Sequence, residues 1–329
     1  MRVLVTGGTG FVGSCLVPEL VKRGYEVVCL VRSIEKGKKI FGDTVTFIEG
    51  DVTDPFALKA IPNNIEYAIH LAAVGHVSAV TEESYKLFVG VNESGTKNII
   101  DELSSRKNFE RFVHFSSTAA MGLIGIPIQD ENSIPNPVTP YQKSKNRSEK
   151  IVAQAASEGF PTVVIRPCMI YGVGGYGEFY KFCRLMKKGA FPKVGLGKNL
   201  TPLVYVTDVV NAAILAMEKG TVGETYIVAS ESSIKMDDFR KLVVKSIGVR
   251  SPYFYVPAWV ALFGAKLIEL ISARIGKEPI ATVTNIRSTI MDRTFDISKA
   301  KKELGYNPMV NFEEGIKKTV EWYKDQGKL

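Results

Sequence analysis

The N-terminal stretch Arg2–Gly13, RVLVTGGTGFVG, constrains the chain more than any other. Val3 to Val5, with Arg2 before them, read as a short buried strand, Thr6 to Gly10 as a glycine turn, and a helix begins near Phe11. Strand, glycine turn and helix start together make an anion site. Glycine lets the backbone come close to a pyrophosphate, and the first helical turn points unpaired N–H groups at it. The spacing satisfies both Gly8-x-Gly10-x-x-Gly13 and the wider Gly7-x-x-Gly10-x-x-Gly13. On a strand–turn–helix this points to a dinucleotide, the competing reading being a glycine-rich βα turn with no ligand.

The rest of the chain extends the same pattern. The first helix runs from Phe11 to Arg23, with Gly24 suited to end it, and Glu26 to Val31 is a second strand. Further strands are read at Val45–Glu49, Tyr67–Leu71, Arg111–Phe115 and Thr162–Ile165. A long helix lies over Glu82–Ser105 and another starts near Tyr141. Strands alternating with helices predict an α/β fold with a parallel, doubly wound Rossmann sheet, whose ligands sit beyond the strand C-termini. After Pro167 the pattern loosens into a smaller, mostly helical part. The expected division is a nucleotide-binding domain over 1–166 and a substrate-binding part over 167–329. The two are interleaved, because strands at Leu203–Val206 and Glu224–Val228 (about 203–228) are expected to return to the sheet.

Composition excludes several classes. Lys and Arg outnumber Asp and Glu by 42 to 34, giving +8, with no dense basic run interleaved with aromatics, so no nucleic-acid partner is expected. A bound acidic cofactor accounts for part of that excess. Cys15, Cys29, Cys168 and Cys183 each lie in apolar segments outside any CxxC, and read as buried thiols in a reducing, cytoplasmic setting. His70, His76 and His114 have no metal spacing, so no metal site is expected. No signal peptide is expected, because the first strand begins at once.

One segment stands apart. Between Tyr253 and Ile275 the chain reads YFYVPAWVALFGAKLIELISARI, and Ser251 to Ala265 carries no charge. Fifteen residues with two prolines are too short to span a bilayer. A buried or lid helix is the first reading. A peripheral helix on a membrane surface is the second.

The end of the second strand bears on cofactor choice. No acid follows it until Glu35, whereas Arg32 stands where a ribose 2′-phosphate would be met, so NADP(H) is expected ahead of NAD(H). A solvated Arg–Lys loop is the alternative. The chemistry centres on Tyr141-Gln-Lys-Ser-Lys145, the one Tyr-x-x-x-Lys in the chain, whose two ends share a helix face. A free tyrosine, with a pKa of about 10, is a poor base at neutral pH, and a neighbouring ammonium lowers that value. A hydroxyl from Ser116-Ser117-Thr118 would hold the substrate oxygen.

Taken in order, these stretches resemble the extended short-chain dehydrogenase/reductases. The resemblance rests on Thr6-Gly7-x-x-Gly10-x-x-Gly13, Asp51-Val52, His70-Leu71-Ala72-Ala73, Asn92 with Gly95-Thr96, Ser116-Ser117-Thr118, Tyr141-x-x-x-Lys145 and Arg166-Pro167-x-x-Ile170-Tyr171-Gly172. It implies that Tyr141 is the acid/base, that Lys145 binds the nicotinamide ribose and lowers the Tyr141 pKa, and that Thr118 orients the substrate oxygen, with Ser117 in reserve. It implies that Asp51 and Val52 flank the adenine and that Ala72 and Ala73 line the nicotinamide side. Gly7, Thr9, Gly10, Phe11, Val12, Gly13, Arg32, Leu71, Asn92, Ser116, Pro167 and Ile170 are further cofactor contacts. Members often dimerise through the helices holding Asn92 and Tyr141, so a homodimer is expected.

Two groups within that family compete. Nucleotide-sugar epimerases and dehydratases usually carry an Arg after the Gly-x-Gly loop to grip a diphosphate, and here that position is Thr201-Pro202. Gly197-Lys198-Asn199-Leu200, Val204-Tyr205-Val206 and Val256-Pro257-Ala258-Trp259-Val260-Ala261 look instead like 3β-hydroxysteroid and sterol dehydrogenases. Leu30-Val31-Arg32-Ser33 looks like dihydroflavonol reductases. The expectation is an NAD(P)-dependent oxidoreductase acting on a secondary alcohol or ketone of an apolar, ring-bearing substrate, its pocket lined by aromatics of the 253–263 stretch. An epimerase or dehydratase using the same Tyr/Lys/Thr site is the alternative. A non-catalytic dinucleotide sensor would need no Tyr141/Lys145 pair.

Overall fold

The structure is a computed structural model and describes residues 1–75, 81–122, 125–250, 255–275, 279 and 282–329, the side chains of 273 and 285 aside. His76, Tyr253 and Phe254 therefore lie outside the described residues.

Seven strands form one parallel sheet: β1 (Arg2–Thr6), β2 (Glu26–Val31), β3 (Thr46–Glu49), β4 (Tyr67–His70), β5 (Arg111–Phe115), β6 (Thr162–Pro167) and β7 (Thr225–Val228). Their order is β7-β6-β5-β4-β1-β2-β3, so the winding reverses at β1 and opens a crevice between β1 and β4. Both faces of the sheet are covered, which explains the near-continuous Val and Ile runs. In β1 the side chains alternate. Val3 and Val5 pack with the helices Phe11–Lys22 and Val206–Lys219, while Leu4 joins Ile99, Ile100, Leu103 and Val152 on the other face. A third apolar cluster, with Tyr171, Phe179, Phe239, Ile316 and Tyr323, holds the C-terminal part together.

Three expectations need correction. Leu203–Tyr205 does not return to the sheet. It pairs in parallel with Met169–Tyr171 in a separate two-stranded sheet, and β7 alone comes back, beside β6. The stretch Glu82–Ser105 is not one α-helix. An α-helix at Glu82–Leu87 passes into a π-helix at Phe88–Ser94 before α-helix resumes at Gly95–Ser104. Such insertions shift the side-chain phase by a residue, which a search for 3.6-residue periodicity does not detect. Third, Cys29, Cys168 and Cys183 are buried free thiols, but Cys15 is only half-buried.

The helix Ala258–Ile275 also departs from expectation. Trp259, Phe263, Leu267, Leu270 and Ile271 are exposed, as is Tyr255 just before it, so the buried-helix reading fails for them. Among the described residues no helix is long and apolar enough to cross a membrane.

Candidate active site

The glycine turn crosses the β1–β4 crevice at close range. A Cβ on Gly7, whose φ is +71°, would stand 2.7 Å from the Ala72 nitrogen. One on Gly13 would stand 2.5 Å from the carbonyl oxygens of Gly7 and Gly8. Gly10 sits at the N-cap of the helix Phe11–Lys22 with no side-chain cap, leaving the first-turn N–H groups to whatever lies above the turn. Thr9, Phe11 and Val12 are half-buried around it. This is the cradle a pyrophosphate needs. A second observation agrees: Ser116, at the end of β5, is buried with its Oγ lacking any hydrogen-bond partner among the described residues.

The remaining nucleotide-side residues fall along the same carboxyl edge. Arg32 is exposed just beyond β2, and Ser33 caps the next helix by accepting from the Lys36 N–H at 3.2 Å. Asp51 is half-buried and accepts from the Thr53 N–H and hydroxyl at 2.9 and 2.8 Å. Val52 is buried against Gly95, where a Cβ would meet it at 2.7 Å. Leu71 and Ala72 are half-buried past β4, and Ala73 is exposed. Pro167 is buried at the end of β6, and Ile170 is half-buried on the strand beyond.

Tyr141 and Lys145 are set by the helix Pro140–Ser157. Thr139 and Gln142 close a capping box and Pro140 opens the first turn, so the helix begins at a defined place, with Tyr141 in its first turn. Lys145 is buried at 4% exposure, and its Nζ donates to the Phe115 carbonyl oxygen at 2.7 Å. Burial pushes its pKa down to about 8 against the upward pull of Glu149. Glu149 is in turn gripped by Arg166 at the end of β6, through two bonds of 2.9 and 2.8 Å. Burial raises the Tyr141 pKa, and a hydrogen bond with the Ser117 hydroxyl lowers it. Ser117 also caps the short 3-10 turn Thr118–Met121, accepting from the Ala119 N–H at 3.1 Å. The structure thus puts Ser117 on the phenol, with Thr118 half-buried next to it.

A buried relay ties the glycine turn to this helix. The Thr6 hydroxyl accepts from the Ala72 N–H and lies 2.7 Å from His70 Nδ1. Thr96 Oγ1 donates to the Asn92 carbonyl oxygen, so across 3.1 Å it accepts from His70 Nε2, which then carries the ring hydrogen and leaves Nδ1 to accept from Thr6. The Asn92 amide bonds both the N–H and the carbonyl of Val74 and donates to Ser144 Oγ at 2.9 Å. Ser144 donates to the Tyr141 carbonyl oxygen. The π-helix is what delivers Asn92 to this position, and its Phe88 packs on the Tyr141 ring. Burial holds His70 neutral, its pKa pushed down to about 3, with the Lys145 charge acting in the same direction. Sequence reasoning missed Ser144, Glu149 and Ser148, whose hydroxyl donates to the Lys145 carbonyl oxygen and faces His114 Nε2 at 3.1 Å. Their spacing from Tyr141 and Lys145 along one helix face was the available signal.

Residues 3–229 match the NAD dependent epimerase/dehydratase family. The chain is 28% identical over 321 residues to the 4-hydroxy-2-methyl-3-oxo-4-farnesyl-3,4-dihydroquinoline-1-oxide ketoreductase of Stigmatella aurantiaca, covering 96% of this chain and 95% of that one. It is 29% identical over 342 residues to a 3β-hydroxysteroid dehydrogenase/Δ5→4-isomerase of Mycobacterium tuberculosis, covering 98% and 90%. Among solved structures, a UDP-glucose 4-epimerase of Thermotoga maritima with UDP-glucose superposes with a TM-score of 0.78 at 26% identity, over 99% of both chains. With its cradle, its buried Lys145 and its Tyr141–Ser117 contact, the chain belongs to the NAD dependent epimerase/dehydratase family and is an enzyme of the extended short-chain dehydrogenase/reductase type.

Proposed function

We propose that the enzyme moves hydride between a nicotinamide cofactor, NADP(H) in preference to NAD(H), and a secondary alcohol or ketone on an apolar, ring-bearing substrate. The observation that carries this is the Tyr141 phenol, bonded by Ser117 and one helical turn from a buried Lys145, at the carboxyl edge beside the glycine cradle. A bound nicotinamide supplies or takes the hydride. Tyr141 gives or removes the hydroxyl proton, Thr118 and Ser117 hold the substrate oxygen, and Lys145 steadies the phenolate and reaches the cofactor ribose. Ser116 has a free hydroxyl for the cofactor, and Arg32 lies open to a 2′-phosphate.

The substrate half of the reading is supported by relatives whose names specify a ketoreductase and a 3β-hydroxysteroid dehydrogenase. Thr201 and Pro202, where a sugar-nucleotide enzyme would carry Arg, are both buried. Residues 167–329 are assigned to substrate binding. A homodimer through the helices carrying Asn92 and Tyr141 and a peripheral membrane contact through Ala258–Ile275 belong to the same proposal. The test is a turnover and thermal-shift panel with cofactor present, setting hydroxysteroid-, terpenoid- and flavonoid-like alcohols and ketones against uridine and thymidine diphosphate sugars. Turnover of a ring alcohol or ketone is expected. Turnover of a nucleotide sugar alone would hand the site to the epimerase and dehydratase reading.

A further inference from the structure

Among the buried polar atoms that have no hydrogen-bond partner among the described residues, four fall in one region beyond the helix Pro140–Ser157: Arg293 Nε, Thr201 Oγ1, Ser230 Oγ and Gln129 Oε1. They come from four distant segments that backbone bonds draw together. The Arg293 N–H donates to the Leu200 carbonyl oxygen at 3.0 Å, beside Thr201. Ser233 Oγ donates to the Arg293 carbonyl oxygen, and the Ser230 N–H donates to the Leu203 carbonyl oxygen. The Asp296 N–H donates to the Gln129 carbonyl oxygen, and Phe295 pairs with Gln129. All of this gathers at the ends of β6 and β7, where the Cys168 N–H donates to the Val228 carbonyl oxygen and the Cys168 thiol feels the Arg293 charge.

Arg293 differs from the other well-packed arginines. Arg166 is held by Glu149, Arg106 by Glu102 and the Ile61 carbonyl, and Arg240 by the carbonyls of Phe191 and Pro192, while Arg111, whose Nε is also unpartnered, gives an Nη to the Gly220 carbonyl. No carboxylate among the described residues pairs with Arg293, and burial disfavours its charge, opposed only by Cys168, whose own thiol burial keeps neutral. A desolvated guanidinium without a counter-charge is costly, and a ligand that brings the charge removes the cost.

We propose that Arg293, Thr201 and Ser230 form a subsite for one carboxylate group on the substrate. The assignment rests on reading the site as that of an alcohol or ketone oxidoreductase. One guanidinium and two hydroxyls offer donors for a single charge. A diphosphate with roughly two charges calls for more cations. Arg184, Lys187, Lys188 and Lys198 are all exposed, and Arg184 lies over the Tyr180 ring. Gln129 Oε1 is an acceptor and is left out of the anion's shell. The cation absent from the Thr201-Pro202 position is thus supplied from a segment far along the chain.

The test uses the enzyme saturated with dinucleotide, a hydroxysteroid carboxylate and its methyl ester, reading kcat/KM and thermal stabilisation for each. The acid is expected to exceed the ester by about 10- to 100-fold in kcat/KM, as one charged contact implies. Arg293→Gln and Thr201→Val should each lower that ratio, and Arg293→Lys should keep part of it. Where Arg293→Gln fails to fold, Thr201→Val carries the test. Equal handling of acid and ester by the wild type, or a ratio unmoved in the folded variants, overturns the subsite and leaves the oxidoreductase reading standing. Stabilisation by the acid that Arg293→Gln removes, with turnover of neither compound, upholds the subsite and overturns the ring-alcohol reading. Stabilisation by UDP-glucose alone, lost in Arg293→Gln, overturns the carboxylate in favour of a diphosphate.

Discussion

The Lys145 ammonium donates to the carbonyl oxygen of Phe115, 2.7 Å away, and so pins the helix Pro140–Ser157 to the last residue of β5. The bond sets the ammonium at the sheet edge, one turn from Tyr141. Lys145→Met should therefore weaken dinucleotide binding and abolish most turnover. Tyr141→Phe should keep the binding and lose about 10²–10⁴-fold in kcat. Cofactor titration and steady-state kinetics on both variants separate the roles. Equal cofactor affinity in the two would remove Lys145 from the binding site.

Gly13→Ala should disable the cradle. Its Cβ would meet two main-chain oxygens at 2.5 Å, and backbone cannot rotate away as a side chain can. A displacement of about 1 Å in such a site costs on the order of 10²-fold. Dinucleotide affinity should fall by that order, while Gly24→Ala, in open space but at a φ of +86°, should cost stability alone. Fluorescence titration against thermal melting distinguishes the two.

The buried histidines predict an acid limb in stability. His70 is neutral in the fold, with a pKa of about 3, while the unfolded chain protonates it near its ordinary 6.5. Between those values the unfolded state holds the extra proton, so stability is complete above about 6.5 and declines as pH falls towards 3. His114, buried and pushed down likewise, adds to the slope. Each contributes roughly 1.4 kcal/mol per pH unit at most. Urea melts from pH 7 to 4 should show the decline, and His70→Asn should flatten it.

On the proposed reading, Arg32 sets the preference for a 2′-phosphate. Arg32→Ala should weaken NADP(H) binding by about tenfold and leave NAD(H) nearly unchanged, since an exposed charge-assisted contact is at stake. Wild type that prefers NAD(H), unmoved by the substitution, would reverse the assignment.

The helix Ala258–Ile275 presents Trp259 at 72% and Phe263 at 64% exposure, with Leu267, Leu270 and Ile271 continuing the stripe. Sedimentation with anionic vesicles should recover the enzyme, and Trp259→Ala with Phe263→Ala should release it. No sedimentation with any vesicle would leave the stripe without a membrane role.

How much was legible beforehand depended on how local the cause was. The β1 strand, the glycine turn, the Tyr141/Lys145 spacing and the order of β and α segments follow from residue type and short-range periodicity, and the sheet places them as those signals imply. The sequence alone therefore determined the Rossmann-type fold, the family and the placing of Tyr141 and Lys145 one turn apart on a single helix. It could not determine where Leu203–Tyr205 would pair, because a three-residue strand carries no partner preference until Met169–Tyr171 is beside it. Nor could it show the π-turn that delivers Asn92, the partner that Ser117 finds in Tyr141, or the exposure of Trp259. The unpartnered Nε of Arg293 is likewise tertiary: an arginine is solvated in any unfolded sequence, and only the fold takes the water from that atom.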